Sequence, residues 1–244
     1  LGSGPALYFL NGFVGSQELF ALLAWLLRDQ FRCVVFDYPP SVSRGWTLAD
    51  AVADLLAIAD QAGDAEFHLF GHSFGSMVAL QALAEHPQRI RRAVLQGAFA
   101  HYDWSTSERL LLSAGRLLPG RVKLLPGRVF IQRQNQGRWF PPFDLTRLQF
   151  YLENTGNSTI RQLALRASLA RSCDLRPRLP EIRQPVLLLR SEGDGHVLTG
   201  CSETLAAGLP HVTVDTMNDT GQIPFLTHPH RLAKLIRPFL AAEG

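Results

Sequence analysis

FHLFGHSFGSMVALQALAEH, Phe67 to His86, is the stretch on which the fold turns. Its first four residues form an apolar run of strand length. The next five, Gly71-His72-Ser73-Phe74-Gly75, fit the pattern Gly-x-Ser-x-Gly, and a helical run follows from Phe74. A buried strand therefore turns sharply into a helix with a serine at the apex. Glycines two before and two after that serine leave room for strained backbone and close helix–strand approach. The turn lifts the hydroxyl above the carboxyl ends of the strands and aims the positive end of the next helix at it. A glycine-rich turn that only packs helix on strand is the plainer alternative. The strand before the motif and the helix after it favour a nucleophile at Ser73.

The neighbouring segments repeat the rhythm. ALYFLNGFVG (Ala6 to Gly15) reads as a buried strand running into a tight loop. Ser16 is expected to cap the apolar helix of LFALLAWLL, Leu19 to Leu27. RCVVFDYPP (Arg32 to Pro40) is a second strand, stopped by prolines. Thr47 with Asp50 is a capping-box signature before Leu48, Val52, Leu55, Leu56 and Ala59 at helical spacing. Further strands follow at RAVLQGA (Arg92 to Ala98), PVLLLRSEGDG (Pro185 to Gly195) and VTVDTMN (Val212 to Asn218). A last helix runs from about His230 to Ala242.

This alternation predicts an α/β fold with a mostly parallel sheet and helices on both faces. The rhythm breaks from His101 to Leu175, which is helical in pattern, rich in arginine and interrupted by prolines. LLPGRV occurs there twice, at Leu117 and Leu124, as a local turn repeat. One domain is expected, with residues 1–100 and 176–244 as the core and 101–175 as an inserted helical cap.

Composition narrows the class. The chain has 244 residues, 46% hydrophobic and 18% charged, enough to bury a core and unlike a disordered chain. Three widely spaced cysteines form neither a disulfide framework nor a metal-ligand pattern, so no metal is expected and a reducing, cytoplasmic setting is the simplest. No apolar run reaches membrane-spanning length. The first residue is Leu1, so a targeting segment removed upstream stays open. The net charge is +3 and the arginines cluster after residue 109. Such a patch suits an anionic substrate or a membrane surface, but a solvated cap surface is the favoured reading. No nucleic-acid motif accompanies the charge. Gly2-Ser3-Gly4 precedes a strand rather than following one, so no dinucleotide cofactor is expected.

Acyl transfer needs backbone N–H groups aimed at the developing oxyanion. One comes from the residue after the nucleophile, Phe74, and the other from the loop after an earlier strand, where Phe13 is placed. A strand-to-helix turn that simply needs glycine is the alternative for that loop.

FLNGFVGS, VVFDYP, LFGHSFGSMVALQALAEHP, RAVLQGAF and PVLLLRSEGDGHV occur in the order seen in the α/β-hydrolase superfamily, which the chain resembles outside the cap. The family usually has His-Gly where this chain has Asn11-Gly12, and the family's hairpin before that loop is missing. The resemblance implies an acid at Asp194, with Glu192 as the competing carboxylate. It also implies a histidine just after Gly221, where this chain has Gln222. Glutamine is long enough to hydrogen-bond both Ser73 and Asp194, but it has no basic nitrogen to take the serine proton. His196, His228 and His230 are the candidate substitutes, each read first as a surface histidine. TGQIPFL and VVFDYPP also resemble the maspardin branch, which lacks the histidine and is regarded as protein-binding.

Two functions follow. One is a serine hydrolase of small esters or acyl compounds. The other is an inactive hydrolase-fold binding or scaffold protein with a protein partner. Lyase or addition chemistry on the same fold is a third possibility with no residue of its own behind it. The cap carries the aromatics Trp104, Trp139, Phe140, Phe143, Phe150 and Tyr151; of these, the run RWFPPF (Arg138 to Phe143) lines an apolar acyl pocket in the first reading and is plain cap core in the alternative.

Overall fold

The computed structural model describes residues 1–39 and 45–242. Pro40, the second of the two prolines expected to end a strand, lies outside the described residues. Six strands form one parallel sheet: β1 (Ala6–Leu10), β2 (Arg32–Val35), β3 (Phe67–His72), β4 (Ile90–Gln96), β5 (Val186–Ser191) and β6 (Val212–Met217). Their order is β2-β1-β3-β4-β5-β6. All five pairings are parallel, from Ala6 opposite Arg32 to Val186 opposite Val212. Parallel strands cannot be joined by tight hairpins, so helices fill the crossovers.

In chain order these are α1 (Ala21–Leu27), α2 (Leu48–Gln61), α3 (Phe74–Glu85), α4 (Thr106–Gly115), α5 (Arg128–Gln136), α6 (Leu145–Asn154), α7 (Ile160–Ser172), α8 (Gly195–Gly208), α9 (Pro224–Thr227) and α10 (Pro229–Ala241). Four of them, α4 to α7, lie between β4 and β5.

The period of two in the strands splits the core into two layers. Tyr8, Leu10, Leu69, Leu95 and Leu188 face one way, against Leu55 of α2, Met77 of α3 and Leu205 of α8. Leu7, Phe9, Phe70, Val94 and Leu189 face the other, against Leu23 of α1, Phe225 of α9 and Ile236 of α10. Strand β1 is buried throughout, as a central strand covered on both faces should be.

Local signals met mixed outcomes. The Thr47 hydroxyl accepts the Asp50 N–H (3.2 Å) and the Asp50 carboxylate accepts from the Thr47 backbone (2.7 Å), closing the capping box on α2. Ser16 does not act as the expected cap. A 3-10 turn, Gln17–Phe20, precedes α1, and the Ser16 hydroxyl instead donates to the Asn154 carbonyl (2.8 Å), tying this segment to the end of α6. A long-range acceptor has won over local capping.

Among the described residues no helix is long and apolar enough to cross a membrane, and no group of three or more His, Cys, Asp or Glu could hold a metal ion.

Candidate active site

Strand β1 lies between β2 and β3, so the chain reverses its direction of travel across the sheet beside β1. Loops leaving the carboxyl ends of β1 and β3 diverge there and open a crevice. A cavity of about 190 Å³ occupies it, lined in part by Gly12, Phe13, His72, Ser73, Tyr151 and Gln222.

Ser73 sits at φ 53°, ψ −118°, a conformation that L residues rarely adopt. Its N–H donates to the Gln96 carbonyl (3.0 Å), and its own carbonyl accepts from the Ser76 N–H (2.9 Å) and the Ser76 hydroxyl (2.5 Å). These bonds hold the strained turn from both sides. The elbow also needs close approach. A Cβ on Gly75 would lie 2.2 Å from the Leu10 carbonyl oxygen, and one on Gly71 would lie 2.8 Å from that of Gly75. Phe74 opens α3, where an N–H has no intrahelical partner.

The loop carrying Phe13 is fixed from below. Asn11, in the place of the expected histidine, donates its amide to the Phe36 carbonyl (3.1 Å) and to Asp37 (3.2 Å). The buried Arg166 of α7 donates to the Phe13 carbonyl (3.2 Å) and lies over the Tyr38 ring (4.8 Å). Phe13 packs among Phe74, Phe99 and Trp104.

Asp194 follows β5 in a 3-10 turn and is buried. One carboxylate oxygen accepts the Ser191 N–H (2.8 Å), while the other, Oδ1, is buried with no partner. Burial pushes its pKa from 3.8 up to about 6, only partly offset by the Ser191 hydrogen bond. Asp194 does not line the Ser73 cavity, but its turn abuts the one bearing Gln222: the Gly193 N–H donates to the Thr220 carbonyl (2.9 Å). Trp139 packs over both Gly193 and Gly221. Glu192, the competing carboxylate, is exposed and accepts the Asp219 N–H (2.8 Å), which ties it to the neighbouring turn.

Gln222 lines the same cavity as Ser73, yet it bridges neither Ser73 nor Asp194. Its side-chain oxygen accepts from the Gln136 amide at the end of α5 (3.3 Å). Length alone suggested a relay, but a facing amide takes the acceptor instead. The candidate replacement histidines stay away. His196 and His230 are exposed, and His228 meets the Thr227 hydroxyl (3.0 Å); none lines the cavity.

Of the aromatics between β4 and β5, only Tyr151 lines this cavity. Trp104 packs behind Phe13, Phe140 is buried against Tyr151, and Phe143 is almost wholly exposed. RWFPPF is therefore not the wall of this cavity.

A polar chain not anticipated from the sequence runs beneath the site. His72 Nδ1 meets Gln96 Oε1 (2.5 Å), the Gln96 amide reaches the Ser191 hydroxyl (3.5 Å), and the Ser191 N–H donates to Asp194. With the Gln96 nitrogen turned to Ser191, its oxygen accepts from Nδ1–H, which leaves His72 Nε2 unprotonated. Burial lowers the His72 pKa to about 4 and keeps the ring neutral. His72 packs edge-on against Phe225 and makes no hydrogen bond to Ser73. A polar residue at the last position of a buried strand, Gln96, was the available sequence signal. Gln136 carried none.

The chain matches the family described as the alpha/beta hydrolase fold over residues 5–229. It is 26% identical to the pimeloyl-[acyl-carrier protein] methyl ester esterase of Xanthomonas campestris, covering 99% of this chain and 97% of that protein. It is 25% identical to a provisionally assigned carbamate hydrolase, RutD, of Cronobacter turicensis, covering 98% and 91%. Among solved structures, a hydrolase from Pseudomonas aeruginosa superposes with a TM-score of 0.81 at 22% identity, covering 99% of this chain and 92% of the other.

Proposed function

The chain belongs to the α/β-hydrolase fold family, and from that premise we propose that the Ser73 cavity is the acyl site of a serine-esterase frame working without its usual base. In this reading Ser73 is the nucleophile, the N–H groups of Phe13 and Phe74 are the oxyanion donors, Asp194 stands at the acid position and Gln222 at the histidine position. The helices between β4 and β5 act as the cap. Two of the relatives are named as a methyl ester esterase and a provisionally assigned carbamate hydrolase, which supports esters or related acyl compounds as the substrate class. A cavity of about 190 Å³ favours short acyl groups.

The chemistry follows from the groups present. Ser73 Oγ bonds to the carbonyl carbon, the carbonyl oxygen takes the negative charge between the two N–H donors, and as the carbonyl re-forms the C–O bond to the ester oxygen breaks, that oxygen taking a proton from solvent to leave as the alcohol. Water then attacks the acyl-serine and releases the acid. In both steps the proton of the attacking hydroxyl must pass to solvent, because the Gln222 amide cannot accept it. Oxyanion donation and binding alone give roughly 10³–10⁴-fold acceleration over water. Slow turnover is the consequence.

One observation carries the reading: Gln222 and Ser73 line one cavity, with the Gln222 amide engaged by Gln136. The test is p-nitrophenyl acetate hydrolysis by the native chain, Ser73→Ala and Gln222→His. Slow turnover lost in Ser73→Ala and raised roughly 10²–10⁴-fold in Gln222→His is expected. Turnover that survives Ser73→Ala would sink it.

A second reading, an inactive binding protein of the maspardin kind, is supported by the unpartnered Oδ1 of Asp194, which no base engages. It predicts no turnover and no fluorophosphonate labelling of the native chain, with activity appearing only in Gln222→His.

A further inference from the structure

From Arg116 to Arg133 the chain carries cationic side chains and no Asp or Glu. Arg128 is turned inward, donating to the Leu152 and Thr155 carbonyls. The other four, Arg116, Arg121, Lys123 and Arg133, are exposed, and none forms an ion pair with a described residue.

A solvated basic surface does not need large apolar side chains between its charges, yet this one has them. Leu117 is 76% exposed, Leu124 73% and Phe130 66%. The repeated LLPGRV explains the arrangement. Each copy is a turn that reverses at a left-handed glycine, Gly120 (φ 104°) or Gly127 (φ 76°), with a leucine pair before it and a cation after it. The second turn is anchored by the Arg128 guanidinium on the Leu152 and Thr155 carbonyls, the first by its backbone. Val122 is buried, its N–H donates to the Ser158 carbonyl (3.0 Å), and the Lys123 N–H donates to the Gly156 carbonyl (2.8 Å). The apolar groups are thus held out in water by an ordered backbone.

We propose that the segment from Arg116 to Arg133 docks on an anionic lipid surface, with Leu117, Leu124 and Phe130 entering the acyl boundary and the four exposed cations meeting lipid phosphates. The charge is of one sign and complements an anionic headgroup layer. Leu117 and Leu124 stand out from the two turns and Phe130 from the first turn of α5, each beside further exposed apolar side chains such as Leu118, Val129 and Ile131; a fluid interface accepts such groups without a matching shape, whereas a protein partner would need complementary pockets. Arginine and lysine stems lie along apolar surface while their heads stay at headgroup level. This docking is independent of the catalytic reading.

The test is co-sedimentation of the whole chain with vesicles of phosphatidylcholine alone and of phosphatidylcholine mixed with phosphatidylglycerol. Binding to the mixed vesicles only, falling with added salt, is expected. Arg121→Ser with Lys123→Ser should weaken it roughly 30-fold, about 5-fold per cation. Leu117→Ser with Leu124→Ser should weaken it about tenfold per leucine while the charge is kept. Phe130→Trp should be quenched by lipids with brominated acyl chains. All five positions are exposed, and unchanged circular dichroism verifies that the variants fold. No binding to mixed vesicles, binding indifferent to both double variants, or an unquenched Trp at position 130 overturns the proposal. Capture by poly-glutamate without vesicle binding overturns it too, and assigns the surface to an acidic protein.

Discussion

Replacing Asp194 by Asn should change how stability depends on pH, by an amount set by the unpartnered carboxylate. Burial raises its pKa from 3.8 to about 6, so between those values the folded chain holds a proton that the unfolded chain has released. Stability then falls as pH rises through this window, the reverse of a salt-bridged aspartate. Two units or so of shift correspond to about 3 kcal/mol, fully lost by pH 7. His68 and His72 act in the opposite sense. Burial lowers both to about 4, so the unfolded chain binds protons there that the folded chain refuses, and stability falls as pH drops. The native curve is therefore a composite, and only the difference between the two proteins isolates Asp194. Urea unfolding at pH 3.5 and pH 7 gives that difference. The Asn variant should gain about 3 kcal/mol on the native chain between the two pH values. A difference that stays flat would refute the unpartnered state of Oδ1. A difference of opposite sign would mean that a cation holds the carboxylate.

Other perturbations test the frame around it. In Gln222→His the new ring sits on the turn joined to that of Asp194 through Gly193 and Thr220; under the proposed reading its esterase activity should follow a base titrating near neutrality, whereas the native chain's slow turnover should rise steadily with pH, and rate profiles separate the two. Gly75→Ala drives a methyl to within 2.2 Å of the Leu10 carbonyl and should destabilise by about 3 kcal/mol or prevent folding, read from thermal melting and soluble yield. Phe225→Ala removes a fully buried ring that packs on Phe20, Phe70 and His72, and should cost about 3–5 kcal/mol in urea unfolding.

The sheet and the elbow were legible because each rests on local pattern. Apolar runs such as Tyr8 to Leu10 read as buried strands, and the Gly71–Gly75 spacing reads as a strand-to-helix elbow because an apolar strand precedes it and a helical run follows it. That the turn bearing Gln222 reaches the cavity of Ser73 was legible through resemblance, which places a turn after the last strand at that crevice. Its partner was not. Gln136 lies in a helix between β4 and β5, and no periodicity brings one glutamine to another across the chain. Ser16 failed for a related reason: its hydroxyl had two destinations, and only tertiary packing decided between the helix behind it and Asn154. The exposed leucines of the LLPGRV repeat were likewise invisible in a hydropathy pattern that expects apolar residues inside.

The all-parallel sheet has a kinetic consequence. Each strand pair closes only after an intervening crossover has been made, and Ala93 meets Val186 only once all of α4 to α7 lies between them. Entropy must be lost before such contacts repay it, so the pairing of β4 with β5 should come slowly in refolding. The strands that lead into Ser73 and Phe13 pair independently of it, Leu7 opposite His68, while Asp194 and Gln222 follow β5 and β6. Refolding should therefore assemble the elbow and its facing loop first and deliver the acid and the glutamine last, with the β4–β5 pairing as the slow step between the two halves of the site.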